Sequence, residues 1–327
     1  MSKRPRIGFL LGDPNGIGPE IAIKVLARPQ NVERADLVIY ADPAVLMAGE
    51  RVAQQHVRLV TSGSRGASLH ALSLLGDDAI TPGESTAAGG RVALGALTAA
   101  AADARAGMLD GIVFAPLNKH ALRLAGLTQE DELRYLQVFF GVDGFVSEFN
   151  ITGDLWTSRV TSHIPLKDVS SALTHEGIVQ AVDIVARYVR ASGKAMPRIA
   201  VAALNPHAGD GGSLGREEID LITPAVRAAR ERSGGAPIEG PLPADTVFVA
   251  ARRGDYDAVV SMYHDQGQIA MKLMGFDRGV TLHGGLPVPV ATCASGTAYD
   301  IVGRNAANAE GLQAALDLTV RIAVAQS

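Results

Sequence analysis

Three histidines stand where a strand-like apolar run gives way to a loop: Ser162-His163-Ile164-Pro165-Leu166, Asn205-Pro206-His207-Ala208-Gly209-Asp210-Gly211-Gly212 and Tyr263-His264-Asp265-Gln266-Gly267. Loops at the carboxyl ends of strands are where α/β folds bind ligands. Three neutral imidazoles are enough to hold a metal that keeps one coordination position open. A lone loop histidine is more often simply hydrogen-bonded; the repeated setting, with Gly or Pro close to each, is what points to a metal. Asp265 is placed to orient the imidazole beside it, to complete a metal shell, or to cap the helix that begins there. In Gly240-Pro241-Leu242-Pro243-Ala244-Asp245-Thr246 two prolines fix the backbone and present Asp245 at a helix start, as a cap or as a site acid. Lys272 follows His264 by eight residues, so the two share a helix face, with a solvated lysine as the ordinary alternative. His56, His70, His120 and His175 sit in helix-like or polar surroundings and read as surface residues, while His283 lies in a glycine-rich loop and stays open.

A second loop, Gly12-Asp13-Pro14-Asn15-Gly16-Ile17-Gly18-Pro19-Glu20, follows the first strand and opens a helix. Its glycines allow close approach of backbone to a ligand, Pro19 suits a first helical turn, and a helix N-terminus attracts anions. It lacks the third glycine of the dinucleotide fingerprint, and a tight strand-to-helix turn explains it equally well.

The elements that must position these residues alternate along the chain. Ile7–Leu11, Leu37–Tyr40, Gly111–Phe114, Ile199–Ala203 and Ala258–Met262 read as buried strands. Ala87–Ala106, Glu176–Val189, Glu217–Arg232 and Ala309–Ala325 read as helices. The fold class is α/β. Phe145–Ile151 and Trp156–Thr161, joined through Thr152-Gly153-Asp154, predict an antiparallel hairpin, and that break in the alternation suggests a second lobe. With 327 residues, 47% of them hydrophobic, the chain has the material for a large core. A net charge of −4 and the absence of like-charge blocks argue against a nucleic-acid partner. Cys293 is the only cysteine, which excludes an internal disulfide and a thiolate-rich zinc cluster, fits a reducing compartment, and leaves His and carboxylate for any metal. The apolar run after Lys3, Arg4 and Arg6 is too short for a signal peptide, and no stretch approaches the roughly 20 apolar residues of a membrane span. A cytoplasmic enzyme with no membrane partner is the expectation.

In order and spacing, the segments Gly12 to Glu20, Ser162 to Leu166, Leu204 to Gly212, Gly240 to Thr246, Met262 to Gly267 and Lys272 to Gly279 resemble the 4-hydroxythreonine-4-phosphate dehydrogenases of vitamin B6 synthesis. The similarity spans nearly the whole chain. It implies the isopropylmalate-dehydrogenase-like fold, residues 1–327 forming one catalytic chain of two α/β lobes with a central cleft. It also implies NAD or NADP as hydride acceptor for a small hydroxy-acid, and a homodimer with shared active sites. A divalent metal (zinc first, with cobalt, manganese or magnesium as alternatives) would sit on His163, His207 and His264. Gly285, Leu286, Ser295, Gly296, Thr297, Ala298 and Asp300 would bind the cofactor, with Ser295 standing where the family has a histidine. Asp245, Asp265 and Lys272 would share metal support, proton transfer and binding of the substrate carboxylate.

Where the family's phosphate pocket has an asparagine and an arginine, this chain has Thr281 and Val290, and the pocket's His-Thr pair falls near Glu130-Asp131. A carboxylate about 5 Å from a phosphate costs about 3 kcal/mol at an effective dielectric of about 20, and loss of an arginine removes a bidentate clamp. These departures favour oxidation with decarboxylation of an unphosphorylated substrate, such as a terephthalate-type cis-dihydrodiol carboxylate. The alternatives are the family's own phosphorylated substrate and, from other classes, a metal hydrolase or a non-catalytic binding protein.

Overall fold

Strands buried on both faces need unbroken apolar runs, and in the computed structural model the N-terminal run meets that condition: Ile7 and Phe9 have no exposed surface and Leu10 has 1%. Residues 4–275 and 278–326 are described; Lys3 and, within the family-like segment from Lys272 to Gly279, Phe276 and Asp277 lie outside them. The strands are β1 Arg6–Leu10, β2 Asp36–Ala41, β3 Ala67–Ala71, β4 Gly111–Phe114, β5 Ser147–Thr152, β6 Leu155–Arg159, β7 Ile199–Ala202, β8 Ile238–Leu242, β9 Ala258–Ser261, β10 Val280–Gly284 and β11 Val290–Cys293.

The chain divides into two compact units, the first made of Met1–Asp143, Val280–Leu282 and Leu286–Ser327, the second of Gly144–Gly279 and His283–Gly285. In the first unit the strand order β3-β2-β1-β4-β11 is parallel throughout. The helix Ala87–Arg105 packs on β1, β2 and β4, and the helix Glu310–Gln326 on β4 and β11. Gly111 permits the latter approach, since a Cβ there would lie 2.7 Å from Thr319 Cγ2.

In the second unit the order is β5-β6-β9-β7-β8. β5 and β6 form the expected antiparallel hairpin, whereas β6, β9, β7 and β8 run parallel. Ala200, Ala202 and Val259 have no exposed surface and pack with Phe248 and Met271 in its core, and Phe149 meets Trp156 and Tyr188 at ring-centroid distances of 5.8 and 5.3 Å.

The fold holds elements that apolar periodicity does not announce, among them the helices Pro43–Ala53 and Glu132–Phe140. Strands β3 and β8 carry too few apolar residues to stand out, β8 holding Glu239, Gly240 and Pro241, and β10 and β11 also fall outside the strands expected from the sequence. The segment Glu217–Arg232 is not one α-helix but a π-helical turn, Glu218–Ile222, leading into the α-helix Thr223–Arg232. Pro224 has no N–H to donate to the carbonyl four residues back, which interrupts the α ladder there. Among the described residues no helix is long and apolar enough to cross a membrane.

Candidate active site

Because β6, β9 and β7 are parallel neighbours, their carboxyl ends share one edge of the second unit's sheet. His163 follows β6, His207 follows β7 and His264 follows β9, so the topology carries all three sequence-predicted histidines to that edge. Gln266 ties two of the strand ends together: Met262 N donates to its Oε1 at 2.8 Å and its Nε2 donates to Ala203 O at 2.8 Å. Thr161 secures the third, its Oγ1 donating to Met262 O at 2.8 Å.

His163 and His264 come together with ring centroids 5.6 Å apart. Both line a cavity of about 460 Å³, along with Tyr263, Asp265 and the apolar Ile164 and Ile269. Of the three roles open to Asp265, the structure displays the orienting one, with its Oδ1 2.7 Å from His264 Nδ1. That contact occupies one ring nitrogen and leaves Nε2 as the ligand face, the carboxylate–histidine arrangement that recurs behind bound metals. The donor chemistry suits a borderline cation such as zinc, for which two imidazoles are one protein ligand short of the usual three.

His163 sits at φ 39°, a left-handed conformation unfavourable for a residue with a Cβ, and the sequence reading missed the buried network at the end of the strand before it. That network centres on Arg159, with a side chain only 6% exposed. Its Nε donates to Ser162 Oγ at 2.7 Å, Nη1 to Asn150 Oδ1 at 2.9 Å and Nη2 to Glu148 Oε2 at 2.6 Å. Burial alone would raise the Glu148 carboxyl, but Arg159, with His283 and His163 adding to it, holds it below the ordinary carboxylate range. The signal was available in the hairpin: the pairing of Asn150 with Thr157 continues to set Glu148 opposite Arg159, an opposite-charge cross-strand pair.

His207 is exposed and is not among the residues lining the cavity. It opens a turn in which His207, Ala208, Gly209, Asp210 and Gly211 are all left-handed. Asp245 lies exposed in the first turn of the helix Ala244–Arg252, and Lys272 exposed in the last turn of the helix His264–Gly275; neither lines the cavity. His283, left open by the sequence, is 2% exposed in β10.

The residues expected at the cofactor fall mainly in the first unit, where the Ser295–Ile301 loop packs on the Gly12–Ile17 loop. Ile17 N donates to Thr297 O at 3.0 Å, and Tyr299 OH donates to Asp13 Oδ2 at 2.5 Å. Burial pushes the Asp13 carboxyl up, opposed by the hydrogen bonds from Tyr299 and Asn15. A Cβ on Gly16 would lie 2.9 Å from Thr297 O, so the glycine is needed for the two loops to meet. Ala298 is left-handed at φ 42°, while Ser295, Gly296 and Asp300 stay at least partly exposed. Leu286 is 6% exposed and offers little surface to a ligand, and the Gly285 N–H is taken by Tyr188 Oη at 3.1 Å.

The residues that suggested an unphosphorylated substrate have other work. Val290 has no exposed surface and sits in β11 beside Ile112, so it is core and not an apolar pocket wall. Thr281 is 7% exposed in β10. Asp131 is an N-cap, its Oδ1 accepting from Arg134 N at 2.9 Å, a role for which Asp is among the preferred residues whatever the substrate.

Histidines at the carboxyl ends of the parallel strands of the second unit, and a glycine-bearing loop after β1 in the first, are the placement expected of a ligand-binding α/β enzyme. Residues 33–319 match the family described as pyridoxal phosphate biosynthetic protein PdxA. The chain is 45% identical, over 97% of both sequences, to a putative 4-hydroxythreonine-4-phosphate dehydrogenase 2 of Pseudomonas aeruginosa. Among solved structures, the 4-hydroxythreonine-4-phosphate dehydrogenase of Klebsiella pneumoniae superposes with a TM-score of 0.83 at 34% identity, covering 99% of this chain and 98% of that one. A terephthalate 1,2-cis-dihydrodiol dehydrogenase of Burkholderia xenovorans is more distant, at TM-score 0.71 and 30% identity over 97% and 98%. The chain belongs to the PdxA family. It therefore has the isopropylmalate-dehydrogenase-like fold and is an oxidoreductase acting on a CH–OH group with NAD as acceptor, which sets aside the hydrolase and binding-protein alternatives. The dihydrodiol reading is corrected as well: the relatives favour the phosphorylated alternative, and the buried Val290 removes its main structural argument.

Proposed function

We propose that this enzyme oxidises the secondary hydroxyl of 4-hydroxythreonine-4-phosphate, passing the hydride to NAD or NADP, with His163, His207 and His264 holding a divalent cation. The observation that carries this reading is the His163–His264 pair with Asp265 on His264 Nδ1, found in a chain 45% identical to a relative named for that substrate. When bound, a divalent cation supplies Lewis acidity that favours loss of the hydroxyl proton and stabilises developing negative charge. The chain's own residues do the rest. Asp265 fixes the His264 tautomer and Arg159 holds Ser162 beside His163. Lys272 and Asp245, both exposed and outside the cavity that His163 and His264 line, are the candidates for holding an anionic end of the substrate and for carrying the proton. The Gly12–Ile17 and Ser295–Ile301 loops, which meet within the first unit, are the candidate cofactor contacts.

A homodimer completes the site in this reading. Leu166, Ile269 and Leu273 are 70%, 60% and 84% exposed in the second unit, apolar surface of the kind that a second copy covers. Sedimentation of the active enzyme should show a dimer, and a fully active monomer overturns this part of the reading.

The substrate test is steady-state NADH formation by enzyme purified without chelator, with 4-hydroxythreonine-4-phosphate and terephthalate dihydrodiol compared side by side. The expected result is a higher kcat/KM for the phosphorylated compound, abolished by chelator and restored by zinc or cobalt. An equal or higher kcat/KM for the dihydrodiol overturns the substrate assignment, and activity indifferent to chelator overturns the metal.

A further inference from the structure

The turn that carries His207 is one that side chains resist. Its φ values run 52° at His207, 53° at Ala208, 79° at Gly209, 43° at Asp210 and 64° at Gly211, and three of those residues have a Cβ that clashes in the left-handed region. Such a turn persists only where its surroundings over-determine it. The group beneath it is Glu218, 2% exposed and projecting from the π-helical turn Glu218–Ile222. Its Oε1 accepts from Leu204 N and Asn205 N at 2.8 Å each, and its Oε2 accepts from Asn205 Nδ2 at 2.9 Å. The same amide donates to Glu217 Oε2 at 2.7 Å, and Glu217 Oε1 accepts from Ser170 Oγ at 2.6 Å.

The glycines of the loop are cut to this arrangement. A Cβ on Gly209 would lie 2.7 Å from Glu218 Oε2, and one on Gly215 would lie 2.3 Å from Asn205 Nδ2. Single-turn π segments recur at functional sites, and here the segment aims a buried carboxylate at the last peptides before the histidine loop. Hydrogen bonds from backbone N–H to a carboxylate are charge-assisted and roughly twice as strong as neutral ones.

We infer that Glu218 is a positioning residue that clamps the Leu204–Asn205 peptides and thereby holds His207 in the left-handed turn from which it acts as a ligand. The inference rests on the proposed metal role of His207. Glu218→Gln keeps the shape but turns an amide donor or a weaker acceptor toward two N–H groups, and Glu218→Asp keeps the charge but shortens the reach. Both are compared with wild type and His207→Ala as full-length protein, with Co²⁺ affinity measured by chelator competition and hydrogen exchange followed in the peptide spanning residues 204–212. Glu218→Gln is expected to weaken Co²⁺ binding by about tenfold or more, as loss of a group that supports a ligand does, and to speed exchange in that peptide. Glu218→Asp, which keeps the charge, is expected to fall between. Wild-type Co²⁺ affinity or unchanged exchange in both Glu218 variants overturns the clamp. His207→Ala separates the two readings: if it binds Co²⁺ as tightly as wild type, the ligand role of His207 falls and this inference with it. Loss of Co²⁺ in His207→Ala without loss in either Glu218 variant ends this inference alone.

Discussion

Replacing Arg159 by Met removes the cation from a buried network and leaves Glu148 behind. The Arg159 side chain is 6% exposed and that of Glu148 27%, with 2.6 Å between Nη2 and Oε2. Breaking a buried ion pair from one side costs about 3–5 kcal/mol, because the surviving charge is uncompensated. The partial exposure of Glu148 places the expected loss near the lower end, at about 3 kcal/mol. Removing both charges, as Glu148→Gln with Arg159→Met, should recover at least half of that loss, since apolar or neutral replacement of a buried pair is often close to neutral. The chain reports on this region directly: its one tryptophan, Trp156, lies in β6 at 3% exposure against Phe149. Urea unfolding of the four proteins of the cycle, followed by Trp156 fluorescence, gives the coupling energy. A loss under about 1 kcal/mol for Arg159→Met, or a double variant whose loss equals the sum of the singles, would refute the reasoning that this pair is a buried, mutually dependent unit.

Gly16→Ala should raise KM for NAD about tenfold, equivalent to about 1.4 kcal/mol, because the new Cβ meets Thr297 O at 2.9 Å and a backbone carbonyl cannot step aside; an unchanged KM would remove Gly16 from the cofactor side. Asp257 is buried, which alone would raise its carboxyl, but hydrogen bonds from Arg198 and Lys194 hold it down to about 2 from 3.8. Its folded value is the lower one, so its contribution of about 2 kcal/mol, reduced by the partial exposure of both cations, is present above about pH 4 and lost as pH falls through about 2. Asp257→Asn should flatten that acid limb, and identical acid-unfolding profiles for the two proteins would contradict it. Val290→Arg should abolish soluble, folded protein, since it places a charge at a position with no exposed surface; a folded variant with altered substrate preference alone would return Val290 to a pocket wall.

Much of this protein was legible in contiguous residues. Apolar runs such as Gly111–Phe114 and Ala258–Ser261, each closed by a turn, determine short buried strands, and the Thr152-Gly153-Asp154 connection determines the hairpin. The positions of His163, His207 and His264 just past strand ends follow from the same local pattern, because a strand end and the residues after it are neighbours in the chain. Only the tertiary structure decided that β6, β9 and β7 lie side by side in parallel, which brings His163 and His264 into one cavity. It also decided that Val290 is core, that Arg159 supports Ser162, and that the helix expected from Glu217 opens with a π turn aiming Glu218 at the His207 loop. Local propensity and periodicity act over a few residues and survive in the sequence as pattern. Depth of burial and strand order arise from contacts such as that of Thr161 with Met262, 101 residues apart, and no local pattern records which distant residue will be the partner.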